Sequence, residues 1–131
     1  MTVEQIYSKC KSWIFEKKSS TIYNEQILDI TNKVLAETYN ENNMKRMFNG
    51  KLPFVDGVGA HQVSNMTDEV DYEDEYILDV IPKGIDSYLL MDDDLNKMGI
   101  LQVEYNNARV ANQVCISADK VKELEDKARA I

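Results

Sequence analysis

Histidine, cysteine and tryptophan are scarce in this chain of 131 residues, which has one histidine, two cysteines and one tryptophan. Cys10 and Cys115 lie far apart and form no CxxC spacing. This pattern favours two buried, reduced thiols and a cytoplasmic origin over a disulfide. His61 has no second histidine with which to share a metal, and any Ser/His/Asp triad would depend on it alone. We therefore expect an ordinary loop side chain at His61.

Long apolar runs are also missing. No run approaches the roughly 20 residues that a membrane-spanning helix needs. Glu4, Lys9 and Lys11 interrupt the apolar pattern of the first 15 residues, which excludes a signal peptide there. The length suits one ordinary domain with its own core. We expect a single folded unit without a membrane segment.

Basic residues are outnumbered: 15 Lys and Arg face 23 Asp and Glu, for a net charge of -8. The excess lies in the window 68–94, where Lys83 is the one base and the net charge is -10, leaving +2 elsewhere. Sequence-specific DNA binding draws most of its affinity from Lys and Arg on phosphates, so this function is excluded. The acids of the window are Asp68, Glu69, Asp71, Glu73, Asp74, Glu75, Asp79, Asp86, Asp92, Asp93 and Asp94.

The sequence does not match the known motifs of metal, nucleotide or catalytic sites. Asp92, Asp94 and Asn96 imitate a calcium loop, but Lys97 stands where the turn needs Gly and Val103 where it needs Glu. Gly57-Val58-Gly59 lacks the third glycine of a nucleotide loop. The acidic window could hold Mg2+, yet a solvated or interface-lining face explains it better. No catalytic constellation is predicted.

Apolar periodicity predicts helices at both ends of a long loop. Thr2 and Gln5 form a capping box for a first helix over about 2–17. A second starts within 21–24 and runs to Phe48, with a break expected at Asn42-Asn43. The connection 51–72 is long enough to be a functional surface, and its Asp56-Gly57 pair predicts a short hairpin turn.

Three more helices follow the loop. The third is predicted to start at a cap near Asp71 and to kink or break at Pro82. The fourth has an apolar stripe of Met98, Leu101, Tyr105 and Ala108. Ser117 caps the last, whose narrow stripe needs either the chain's own core or another protein as its partner. That stripe consists of Val121, Leu124, Ala128 and Ile131. The predicted fold is mostly α: a bundle of about four helices over 1–116, with a long loop and a C-terminal docking helix at 117–131.

The order of these features over 22–113 resembles the head-to-tail connector proteins of tailed double-stranded DNA bacteriophages, also called adaptor or head-completion proteins. The similarity is carried by the helix 26–37, the segment 63–70, the acidic helix start leading into 76–90 with Pro82-Lys83-Gly84, the Asp92–Asp94 triplet, and a helix ending near Tyr105. In such proteins the segment like Pro82-Lys83-Gly84 lies inside a helix, where a small residue lets a neighbouring helix approach.

The resemblance implies a structural subunit of the virion neck, made in the host bacterial cytoplasm, with no enzymatic activity, cofactor or metal. It implies a dodecameric ring on the portal protein, with a tail-side stopper or tail-completion protein below. DNA would pass through the lumen of the ring without sequence-specific binding. The portal would meet Val121, Leu124, Ala128 and Ile131, and the loop 51–72 would meet tail-side partners or neighbouring subunits. The candidates for an acidic channel wall are Asp68, Glu69, Asp71, Glu73, Asp74 and Glu75.

Two other functions remain open on the sequence. An acidic regulatory module that mimics DNA would present the same carboxylates on a convex face. A small Mg-dependent enzyme would gather them in one pocket.

Overall fold

The computed structural model describes residues 1–14, 23–90 and 95–131. Its five helices are α1 (Val3–Trp13), α2 (Ile27–Phe48), α3 (Ile81–Leu89), α4 (Leu95–Ala111) and α5 (Ala118–Arg129). A π-helical turn at Tyr76–Val80 runs directly into α3, and a 3-10 turn occupies Val58–His61. Within the described ranges the β structure is one isolated bridge between Thr2 and Glu69. The prediction of a mostly α fold is confirmed.

α1 begins with the predicted capping box. The Thr2 hydroxyl accepts from the Gln5 backbone N–H at 3.2 Å, and the Gln5 side chain accepts from the Thr2 N–H at 2.9 Å. The helix ends at Trp13, with Ile14 as its C-cap. Residues 15–17, predicted as its last turn, lie outside the described residues. Local capping chemistry therefore sets the start of this helix.

α2 is continuous from Ile27 to Phe48, so the break predicted at Asn42-Asn43 is wrong. Both side chains bond to other segments instead of competing for the helix backbone. The Asn42 carbonyl accepts from the Glu73 N–H at 2.8 Å, and the Asn43 amide bonds both backbone groups of Phe54. Asn49 and Gly50, with φ of +87° at Gly50, end the helix as predicted.

The loop 51–72 lies along α2 and contains no hairpin. Asn32 donates to the Val63 carbonyl at 2.8 Å and accepts from the Val63 N–H at 2.7 Å. Asn43 likewise donates to the Phe54 carbonyl and accepts from the Phe54 N–H. A strand at Phe54 would need those backbone groups for a partner strand, and the asparagines have already bonded them. Gly57, with φ of +88°, turns the chain instead into the 3-10 turn.

The helix after the loop starts later than predicted, and Asp71 does not cap it. The Glu73 carbonyl accepts from the N–H groups of Tyr76 and Ile77 instead. Pro82 has no N–H with which to bond the Leu78 carbonyl four residues earlier. Lys9 of α1 bonds that carbonyl at 2.7 Å. The predicted interruption at Pro82 therefore takes the form of a π turn. The Leu78 carbonyl in that turn accepts from Lys9 and so connects the turn to α1.

α3 lies at the centre of the bundle and packs against α1, α2 and α4. Ile81 and Ile85 are fully buried on it. A Cβ built at Gly84 would lie 2.7 Å from the Tyr105 ring and 3.0 Å from Val34. Gly84 therefore lets α4 and α2 approach α3 closely.

α4 and α5 differ in how they are packed. Leu101, Tyr105 and Ala108 of α4 are buried as predicted, with Met98 packed at their edge. Ser117 caps α5 by accepting from the Lys120 N–H at 3.3 Å, yet no residue of α5 is buried. Within the described part of the chain, the stripe of α5 is therefore left at most half-buried.

Candidate functional site

Two of the six predicted channel residues serve first as local anchors. Asp68 closes a turn, because its Oδ2 accepts from the N–H groups of Ser64 at 2.8 Å and Asn65 at 3.0 Å. These two backbone hydrogen bonds lower the pKa of Asp68. Glu69 lies 3.1 Å from the α-amino group of Met1 and keeps 70% of its side chain exposed. Both carboxylates sit where the loop meets the start of α1.

Glu73 does not lie on the surface, because its side chain is only 3% exposed. Lys51 donates to it at 2.8 Å and Asn49 at 3.2 Å. Burial alone would raise its pKa, but the hydrogen bonds from Lys51 and Asn49 outweigh burial and leave the pKa lowered. The expectation that Glu73 faces a channel is therefore wrong, since this carboxylate fixes the end of α2 to the start of the next helix.

Asp71, Asp74 and Glu75 remain near the surface. Asp71 is 53% exposed, Asp74 is exposed in the first helical turn, and Glu75 is half-buried near the Asn49 amide. The exposed members of the predicted set are Glu69, Asp71 and Asp74, and we call these three the acidic surface. The triplet Asp92–Asp94 lies outside the described residues. Of the six predicted channel residues, three therefore keep an exposed side chain.

His61 forms a cluster that the sequence did not predict. Its Nδ1 lies 2.7 Å from Asp71 Oδ2 and its Nε2 lies 2.6 Å from Asp56 Oδ1. The ring stacks on Phe54 with centroids 3.6 Å apart, and only 8% of the side chain is exposed. The hydrogen bond from His61 lowers the pKa of Asp56. With a carboxylate on each ring nitrogen, His61 has no nitrogen left to take a proton from a nucleophile.

This cluster supplies a test of how the loop is held. We expect His61→Ala to destabilise the fold by about 1 kcal/mol, because it removes a stacked ring and two hydrogen-bonding contacts with partly exposed carboxylates. Limited proteolysis should cut faster within 51–72, while urea unfolding measures the stability. His61→Phe keeps the stack on Phe54, so its cleavage rate and its stability should lie between those of the wild type and those of His61→Ala. Equal cleavage of all three proteins would contradict this role.

Asp86 is the second group that the sequence did not single out. It is fully buried on α3, and neither carboxylate oxygen has a hydrogen-bond partner. Burial raises its pKa to about 8, opposed by the Cys10 thiol and by the charge of Lys97. Burial and the nearby Asp86 also raise the pKa of Cys10, whose Sγ lies 3.6 Å from the Pro82 carbonyl. Cys115 is exposed, so the expectation of two buried thiols holds only for Cys10.

Glu37 joins α3 and α4 to α2. It accepts from the Tyr88 hydroxyl at 2.7 Å and from the Tyr105 hydroxyl at 3.0 Å. One turn later on α2, Glu41 pairs with Arg109 at 2.6 Å. Tyr105 has a buried ring and Tyr88 a half-buried one, and both hydroxyls are hydrogen-bonded to Glu37.

The stripe of α5 is not fully buried in the single chain. Val121, Leu124 and Ala128 are half-buried and Ile131 is 95% exposed. α4 carries a second, outward-facing apolar stripe that was not predicted. The sequence pattern of this helix was assigned to its buried face alone. Ile100 is 62%, Val103 58% and Val110 66% exposed. Large apolar side chains clustered on a surface mark places where other proteins bind.

Among residues 1–14, 23–90 and 95–131, no three His, Cys, Asp or Glu side chains are grouped so as to hold a metal ion. No helix within these ranges has both the length and the apolar character to span a bilayer. Comparison with protein-family models, with curated proteins and with solved structures gave no match.

Proposed function

We propose that this chain is a structural subunit of the ring that joins the portal of a tailed bacteriophage to its tail. The observation that carries the proposal is α5, a capped amphipathic helix with no buried residue. A helix of 12 residues is marginal in water unless a partner covers its apolar face. A partner outside the chain's own core is what an assembly subunit requires.

The acidic surface supports the same role. Glu69, Asp71 and Asp74 keep carboxylates in solvent, and the chain as a whole carries -8. Carboxylates beside a DNA path repel phosphates, which lets DNA slide without being held. In the proposed virion neck this surface lines the channel, and the loop 51–72 meets neighbouring subunits or the tail-side protein.

Electron microscopy of the chain mixed with a portal assembly encoded in the same genome tests the proposal. We expect rings of this chain stacked coaxially on the portal at micromolar concentration. Glu69→Lys combined with Asp74→Lys should still form rings but should retain DNA in the lumen, because cations there hold phosphate. Rings of the unaltered chain should not retain DNA. A chain that forms no ring and does not bind the portal contradicts the proposed function.

A further inference from the structure

Two largely apolar stripes outside the buried core of this chain have the same spacing. On α4 the stripe is Ile100, Val103, Asn107 and Val110, with Asn107 as its polar member. The other consists of the half-buried Val121, Leu124 and Ala128 of α5 and the exposed Ile131, two residues past the end of that helix. Each member of the second stripe follows its counterpart by 21 residues, or three heptads. Alternating steps of three and four residues are the spacing of the a and d positions along a coiled-coil seam.

We propose that α5 of one copy packs in parallel along the outer face of α4 of a second copy. In the matched register Val121 lies beside Ile100, and Leu124 lies beside Val103. Ala128 then lies beside Asn107, where the small alanine leaves the amide room at the edge of the seam. Ile131 covers Val110, so a 95% exposed and a 66% exposed apolar side chain are buried together.

Charge favours the parallel direction. Glu104 follows Val103 and Lys120 precedes Val121, so they occupy e and g positions, which face each other across a parallel seam. Both side chains are exposed in the single chain. In the antiparallel direction the e positions would face each other, which brings Glu104 against Glu125. The parallel pairing therefore gains an attraction where the antiparallel one gains a repulsion.

The chain's own α5 cannot reach this position. The Gln113 N–H donates to the Val110 carbonyl at 3.2 Å, so the chain stays wound through Gln113. From there to Ala118 an extended chain spans roughly 18 Å. The parallel register places Ala118 beside Lys97, roughly 24 Å back along the axis of α4. The occupant is therefore a second copy.

A contact between two different surfaces of identical subunits is heterologous, and it builds a closed ring when its rotation closes. The inference names the two surfaces that meet between neighbouring subunits. It rests on the proposed function only for the number of subunits in the ring. It also assigns the stripe of α5 to a neighbouring copy instead of the portal.

Light scattering of the purified chain at about 100 µM provides the first test. We expect a mass of at least twice the 15.1 kDa monomer. Val103→Asp and Leu124→Asp should each return the mass to that of the monomer. Gln102→Asp adds the same charge at the neighbouring exposed position, outside the stripe, and should keep the oligomer. A monomeric wild-type chain, or oligomers that persist in both stripe variants, would overturn the proposal.

Directed disulfides then distinguish the occupants. In a Cys115→Ser background, a chain with Val103→Cys is mixed with a chain carrying Leu124→Cys. We expect a cross-linked band of two chains that neither variant gives alone, and a ladder of longer species when both changes are in one chain. An internal disulfide within a monomer would show that the chain's own α5 is the occupant. If only added portal protein protects the cysteine at 124, the portal is the occupant, and the proposed function stands without this inference.

Discussion

Raising the pH from about 5 to about 8 should lower the free energy of unfolding of this protein by about 4 kcal/mol more than that of the Asp86→Asn variant. Burial raises the pKa of Asp86 to about 8. The carboxyl is therefore neutral in the folded chain up to that pH. In the unfolded chain it ionises near pH 4. At a pH between these two pKa values, folding takes up a proton at Asp86. The contribution of this proton uptake to stability is therefore complete below about pH 4 and is lost as the pH rises towards 8.

Urea unfolding at intervals across this pH range measures the difference. Asparagine keeps the shape of the side chain but cannot ionise, so its curve should lack the decline. Cys10 and Lys97, the groups whose influence reaches Asp86, are present in both proteins. Asp74→Asn removes a carboxylate that is solvated in both states and should follow the wild-type curve. Parallel curves for wild type and Asp86→Asn would show that the native protein accommodates an ionised Asp86.

The helices could be predicted where short-range chemistry decides them. The capping box at Thr2 and Gln5, the Ser117 cap and the Asn49-Gly50 end each depend on residues within one turn. The predictions of a break in α2 and of a hairpin in the loop were wrong for a shared reason. Asn32, Asn42 and Asn43 bond segments far along the chain, and an isolated sequence gives asparagine only its local preference for turns.

The acidic window shows the same limit at the candidate site. Along the chain, Glu73, Asp74 and Asp86 belong to one run of like residues. In the structure Glu73 is buried in an ion pair, Asp74 is in solvent, and Asp86 is buried near the Cys10 thiol. Helical phase gave a usable signal for Asp86, since it lies four residues after Pro82 and three before Leu89, both of which are buried. His61 gave none, because its partners come from both sides of a folded loop.

Gly84→Ala should destabilise the protein by about 2 kcal/mol, although alanine favours a helix by about 1 kcal/mol over glycine. The added Cβ would lie 2.7 Å from the Tyr105 ring, which cannot simply swing aside. Its hydroxyl is bonded to Glu37, and its ring is only 3% exposed. Val34 of α2, at 3.0 Å, limits movement in the other direction. The overpacking cost therefore exceeds the gain in helix propensity.

Gly99→Ala is the matched control, because it makes the same change inside α4 where nothing lies within 4 Å of the new atom. With no clash to offset the helix propensity, it should stabilise the protein by about 1 kcal/mol. The two substitutions should thus shift the urea midpoint in opposite directions. If both raise the midpoint, α4 can move away from α3 at little cost, and Gly84 is not what sets the spacing of the two helices. If Gly84→Ala lowers it and Tyr105→Phe in the same chain does not restore it, the ring itself, and not its bond to Glu37, holds α4 in place.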